Sequence, residues 1–282
     1  IYTEENTLSL HDALPIYKLV VAQAGIRILA GLTSSIDIPR KAVAGTLGML
    51  TEIGSASETN PQTAKVSLTP KRVGAYVEYS KQALIQSALP LESMLRDDLL
   101  SGAATTLEDQ VINGVGTGAN MRGIRNTTAI GTVVGGTNGA APVWSHFVDL
   151  ESACANLNAE PDMLAGYLLN TKTRGKLKQT TKSTYLPWIW DGGAQPVNGY
   201  RALVTNTMAS NLTKGTSTTI CSAAIFSSDY SMGVMGLFGA PDVTVDPYTK
   251  ADTGQVKITL NQFADFGVRQ PSAFSKIEDL LS

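Results

Sequence analysis

The chain has 282 residues, of which 43% are apolar and 16% charged, against the roughly 25% charged residues usual in soluble domains. Lys and Arg number 22 and Asp and Glu 24, a formal net charge of -2. This excludes the strong basic excess of a chain devoted to a nucleic-acid backbone and the composition of a polyacidic disordered chain. Few charges beside 26 glycines imply either much uncharged polar surface or much surface hidden against something else, and the length allows one large domain or two small ones. Cys154 and Cys221 form no CxxC and lie far apart, so they are expected to be buried free thiols. His11 and His146 are the only histidines, too few for a His-based metal cluster and a poor basis for a Ser-His-Asp triad. No apolar run approaches the length of about 18 residues that marks a membrane span.

In chain order, residues 1–16 are expected to be a non-native or disordered leader: LSLHDALPI at 8–16 resembles translated sequencing-adapter read-through and lacks the layout of a signal peptide. The alternation of residues 35–39, SIDIP, predicts a strand ended by Pro39. Residues 45–71 are rich in Gly, Ser and Thr and cannot fill a core of their own. They read as a two-stranded excursion with arms at 46–53 and 63–69, the second alternating Ala64, Val66 and Leu68 against Lys65, Ser67 and Thr69. Such a ribbon needs something to lie on. Residues 72–80 alternate as a strand, and 80–87 form a short helix. Pro90 then opens the longest helix, with Leu91, Leu95, Leu99, Ala103 and Leu107 every four residues and Met94 and Val111 widening the stripe. Gly114, Gly116 and Gly118 end it.

Further on, strands are predicted at 129–134, 166–170, 200–204, 219–227, 243–246, 256–260 and 264–268. Helices are predicted at 144–158, with Phe147, Leu150, Cys154 and Leu157 on one face, and at 171–179. Helices and strands in no regular βαβ order define an α+β fold.

No constellation specifies an active site. The glycines at 114, 116 and 118 follow a helix and precede a loop, the reverse of a phosphate-binding fingerprint. Asp97, Asp98, Glu108 and Asp109 on the long helix could bind a cation or serve as acid and base, but fit a solvated or interface-facing charged side better. Tyr185, Trp188 and Trp190 could stack on a sugar or base, but fit packing in a hydrophobic loop or a subunit contact better. Asp242, Asp246, Asp252 and Asp265 lack calcium-loop spacing. No catalytic residue, metal or cofactor is expected.

Several stretches together resemble the major capsid proteins of tailed bacteriophages with the HK97-type fold. RVGAYVEYSKQAL at 72–84 carries the strand and turn with Ser80. The helix opened by Pro90 ends in Asp109, Asn113, Gly114 and Gly116, followed by Gly123 and Ile124. GYLLNTKTRGKLKQ at 166–179 carries Asn170, and GYRALVTNTMAS follows at 199–210. AAIFSSDYSMGVMG at 223–236 carries Asp229 and Tyr230, the DPY turn is Asp246, Pro247 and Tyr248, and the C-terminal motif holds Pro271 and Phe274. These motifs cover roughly residues 30–282 in order.

The resemblance implies an N-terminal arm at 17–44, an extended loop at 45–71, a peripheral domain at 72–142 and 246–282 with a spine helix, and an axial domain at 143–245. It implies a structural protein, not an enzyme, that self-assembles into pentamers and hexamers of an icosahedral head enclosing double-stranded DNA without specific recognition. The implied location is the virion, with no membrane. Scaffolding protein, portal and head maturation protease are the implied further partners. The scaffolding segment that often precedes the arm in this family is expected to be cleaved, separately encoded or missing upstream. Lys65 and Lys71 lie in the loop that carries a crosslinking lysine in one branch of the family, but the resemblance assigns neither to a crosslink. An encapsulin-like nanocompartment shell of the same fold is the alternative, and a carbohydrate-binding domain or enzyme using the Trp188/Trp190 loop is a third reading.

Overall fold

The computed structural model describes residues 19–43, 49, 62–86 and 91–281. The leader, residues 46–53 apart from Met49, and Pro90 therefore lie outside the described residues. A short helix α1 (Val20–Ala24) opens the described chain, and β1 (Arg27–Leu32) and β2 (Ile36–Val43) follow. Next come β3 (Gln62–Leu68), β4 (Lys71–Ser80), the helices α2 (Lys81–Gln86) and α3 (Leu91–Asn113), and β5 (Gly131–Val133). Then follow α4 (Trp144–Ala155), β6 (Gly166–Leu169), α5 (Thr171–Leu177), β7 (Arg201–Val204), β8 (Leu212–Lys214) and β9 (Ser217–Ser227). The chain closes with β10 (Gly233–Asp246), β11 (Gln255–Val268) and β12 (Phe274–Leu281).

Three sheets result among the described residues. The first has the order β1-β10-β11-β4 and is braced by α3, which packs on β4 and β11. The second has the order β5-β12-β9-β6-β7 with β8 beside β9, and α4 covers β5, β12 and β9. The third is a two-stranded ribbon of β2 and β3. The α+β class follows directly. The sheets divide the chain differently from the predicted boundaries at 142/143 and 245/246. The strands β5 and β12 belong to the six-stranded sheet, and β10 belongs to the sheet braced by α3.

Several local expectations change. Pro39 does not end its strand: β2 continues to Val43, with Pro39 opposite Lys65. Each strand of a two-stranded ribbon has a free edge, and a residue without an N–H is tolerated there. Among the described residues, the partner of the 63–69 arm over Gln62–Leu68 is β2. The predicted strands at 256–260 and 264–268 are one continuous β11, and the one at 243–246 is the end of the longer β10. On α3 the stripe is buried from Leu99 onward through Ala103, Leu107 and Val111, whereas Met94 is 59% exposed. On α4 Phe147, Leu150 and Cys154 are buried, but Leu157 lies past the helix end and is exposed.

The described part of the ribbon is anchored at its base. Leu68 packs with Val234 and Phe238, flanked by Leu29, Leu32, Ile36, Ile38 and Val66. This small cluster is separate from the main core, which joins both larger sheets, α1, α3 and α4. Further out, Asp37 and Lys65 make an exposed ion pair at 2.7 Å, which adds little stability because solvent screens it.

Candidate functional site: an assembly surface

The motif at the end of α3 is a structural joint. The last four carbonyls of a helix have no partner within it, and here each finds one. Gln110 accepts from the Gly114 N–H at 3.0 Å, Val111 from Ile124 at 2.8 Å, and Ile112 from Arg125 at 3.0 Å. Asn113 accepts from the Asn126 side chain at 2.7 Å. The loop 114–123 thus folds back as a hairpin on the helix end, with Val115 bridged to Arg122. Two glycines permit it. A Cβ on Gly114 would run into the carbonyl oxygens of Gln110 and Met121, and one on Gly123 would lie 2.6 Å from the Gly114 nitrogen. Gly116, at φ +74°, makes the turn. The Asn113 side chain donates to Asp109 Oδ1 at 2.7 Å and to the Thr207 carbonyl at 2.6 Å, tying the helix end to the segment after β7.

One helix carboxylate departs from expectation. Glu108 is not on a solvated or interface-facing side but is buried, 6% exposed. Its Oε1 accepts from the hydroxyls of Thr205 at 2.5 Å and Thr207 at 2.8 Å, and its Oε2 accepts from the Val20 N–H at 3.2 Å. It links α1, α3 and the turn after β7. The amphipathic period could not reveal this, because its partners lie 88 to 99 residues away in sequence. Asp97 and Asp98, by contrast, are exposed.

Asp265, on β11, is also buried and joins the ribbon to the first sheet. It accepts from the Thr69 N–H at 2.8 Å and pairs with Lys71 at 3.1 Å. Of the two loop lysines, Lys71 is thereby held at the ribbon base, while Lys65 is exposed beside Asp37.

The other motif residues are caps, turns and core. Ser80 accepts from the Ala83 N–H at 3.1 Å at the start of α2. Asn170 caps α5, accepting from the Lys172 N–H at 2.9 Å and donating to the Met208 carbonyl at 2.6 Å. Asp229 accepts from the Ser231 N–H at 2.8 Å. That turn seats Tyr230, fully buried edge-on to Phe274 at 5.9 Å, and burial pushes the Tyr230 hydroxyl pKa well up. Pro271 opens the turn that leads into Phe274 and β12.

Asp246 accepts from the Thr249 hydroxyl and from the N–H groups of Tyr248 and Thr249, and these donors hold its carboxyl below the usual carboxylate range. The 246–249 turn, which carries Pro247 and a Tyr248 that is 84% exposed, is therefore expected to loosen in acid. A depressed pKa means the stabilisation is complete above the ordinary carboxylate value of 3.8 and is lost as pH falls through the lower folded-state value. Faster amide exchange of Tyr248 and Thr249 on acidification, corrected for intrinsic rates, would show this, and Asp246→Asn should remove the pH dependence.

The remaining candidates do not converge. Trp190 packs against the main core, whereas Tyr185 is 97% exposed and Trp188 is half exposed. Cys154 and Cys221 are free and buried. His146 is buried on α4, and no group of three His, Cys, Asp or Glu able to hold a metal occurs among the described residues. Asp242, Asp246, Asp252 and Asp265 are not brought together: Asp265 is buried on β11, whereas Asp242 belongs to the far half of β10 and Asp252 to the turn before β11. No described helix is long and apolar enough to cross a membrane.

What the surface offers instead is exposed apolar area on a charge-poor body: Ile85, Met94, Met163, Tyr185 and Tyr248 all stand out to solvent. Such exposure marks contact surfaces when it gathers into patches.

The sequence profile of the phage capsid family matches residues 13–279. The chain belongs to the phage capsid family. Among curated capsid relatives, the major capsid protein of Halomonas phage phiHAP-1 is 26% identical over 259 residues, covering 92% of this chain and 40% of that protein. The chain thus spans about two fifths of the length of the curated relative it matches. Among solved capsid structures, one from Mycobacterium phage Adephagia superposes with a TM-score of 0.73 at 12% identity, covering 93% of this chain and 90% of that one. The capsid of an empty GTA particle gives 0.70 at 18% identity, covering 93% and 90%. The fold is therefore the HK97-like capsid fold. These relatives favour a phage head over the encapsulin-like compartment.

Proposed function

We propose that this chain is a structural subunit of an icosahedral phage head, assembling through pentamers and hexamers around double-stranded DNA. The observation that carries this reading is the β2–β3 ribbon. Its described part is tied to the first sheet near its base, through the Leu68 cluster and Asp265, and a two-stranded ribbon with so little core of its own suits burial on a neighbour. The sheet braced by α3 fits a peripheral role and the six-stranded sheet an axial one, with heterologous contacts closing rings by rotation. Structural capsid proteins of this family work by burial across many neighbours, and scaffold, portal and maturation protease are the partners such a shell would meet.

Negative-stain microscopy of the purified chain, alone and coexpressed with scaffold and protease, is expected to show ring capsomers or shells. A monomer under all these conditions overturns the reading. A sharper variant replaces residues 46–60 with a short Gly-Ser linker. It spares β2, β3 and the Leu68 cluster, so the subunit should still fold, as read by circular dichroism, but lose shell assembly.

A further inference from the structure

Charge is segregated on one small element. Residues 163–190 contain Lys172, Arg174, Lys176, Lys178 and Lys182 and no Asp or Glu. That stretch carries +5 in a chain of formal net charge -2, so the remaining residues together carry -7. Lys182 is neutralised by Asp191 at 2.8 Å and sits over the Trp144 ring. The other four have no carboxylate within ion-pair distance among the described residues. On α5, Thr173 and Leu177 are buried against the body, while Lys172, Lys176 and the C-cap Lys178 are exposed and Arg174 is half-buried. Lys172 and Lys176 lie one turn apart, as do Arg174 and Lys178, so each pair repels and weakens the helix.

Helix stability does not account for this arrangement. Cations in the last turn, Arg174 and Lys176, suit the helix macrodipole, but Lys172 sits in the first turn where a cation is disfavoured. Four unneutralised cations kept on the two flanks of one short helix against these costs, in a chain otherwise poor in charge, call for a polyanion. Lysine ammonium groups bind phosphate as point charges, and the arginine fork matches it bidentately, so this set of side chains suits an extended backbone of phosphates.

We propose that the exposed side of α5, flanked by Lys172 and Lys176 on one side and by Arg174 and the C-cap Lys178 on the other, contacts the phosphodiester backbone of double-stranded DNA without reading its sequence. Phosphate contacts position a duplex and carry no base information. The inference rests on the phage-head reading for the presence of that DNA, but its test does not require shells.

The full chain is titrated against a labelled 30-base-pair duplex of mixed sequence by fluorescence anisotropy, between 50 and 200 mM salt. The variant is Lys172→Gln/Lys176→Gln/Lys178→Gln, whose side chains are exposed and leave the fold intact. Wild-type binding should weaken linearly in log–log salt plots and be indifferent to duplex sequence. The variant's slope should shrink by about 2.7, three phosphate contacts at about 0.9 each, with binding more than tenfold weaker at 50 mM salt. Absent wild-type binding overturns the proposal, as does an unchanged slope. An unchanged DNA affinity with failed ring or shell assembly in the variant also overturns it, and assigns the face to an acidic surface of a second copy. Monomers on the micrograph together with the expected slope change would instead remove the shell reading and keep this one.

Discussion

Glu108→Ala should lower the unfolding free energy of the unassembled subunit by about 3 kcal/mol, measured by urea denaturation. The carboxylate accepts three hydrogen bonds inside the protein, and bonds to a charged acceptor contribute roughly 1.5 to 3 kcal/mol each before relaxation. Alanine leaves the Val20 N–H and two threonine hydroxyls without their acceptor and opens a void between α1, α3 and the 205–207 turn. Glu108→Gln keeps the shape but points an amide donor at one of these donors, so it should lose less, about 1.5 kcal/mol. If both variants unfolded like the wild type, Glu108 would not be the joint that the geometry makes it. A residue that merely faced solvent would give changes within about 0.5 kcal/mol.

Gly114→Ala and Gly123→Ala should each cost about 3 kcal/mol, the upper range of overpacking effects. The obstacle at both positions is backbone, which cannot swing aside like a long side chain. The added methyl would meet the Gln110 and Met121 carbonyls at 114, and the Gly114 nitrogen and Gln110 carbonyl at 123. Relief would require the hairpin to lift from the helix end, exposing the Val111 and Ile112 carbonyls it satisfies. Gly102→Ala is the control on the same helix. Its Cβ would meet nothing within 4 Å, and the change should raise stability by roughly 0.5 to 1 kcal/mol through helix propensity. Thermal unfolding of the three variants side by side separates close approach from a general intolerance of alanine. Equal effects at 102, 114 and 123 would defeat the argument.

The elements most legible in the sequence were those whose signal is local. The four-residue period from Leu91 predicted α3, and alternation predicted β3 and β4. On α3 the apolar stripe is buried from Leu99 onward, and the alternation of β3 and β4 runs into buried Leu68 and Tyr79, so the pattern prints itself on neighbouring positions. The glycines that end α3 were also visible, although their reason was not.

What only the tertiary structure decided rests on partners far away in the chain. The strand β1 pairs in parallel with β10 some 200 residues later, and β12 finds β5 and β9 from the opposite end. Neither RILAGL of β1 nor FSKIEDLL of β12 carries the regular alternation that announces a strand, and their partners lie at the other end of the chain. Glu108 looked like its exposed neighbours Asp97 and Asp98 because only Val20, Thr205 and Thr207, brought in from both ends, make its burial possible. The ribbon showed that it lacked a core, but its pairing with residues 36–43 depended on where the first sheet holds Leu68. Scarce charge and abundant glycine were written in the composition from the start. Lys172, Arg174, Lys176 and Lys178 are neighbours in the sequence as well, but their standing around the exposed side of α5 became visible only once folding had buried Thr173 and Leu177.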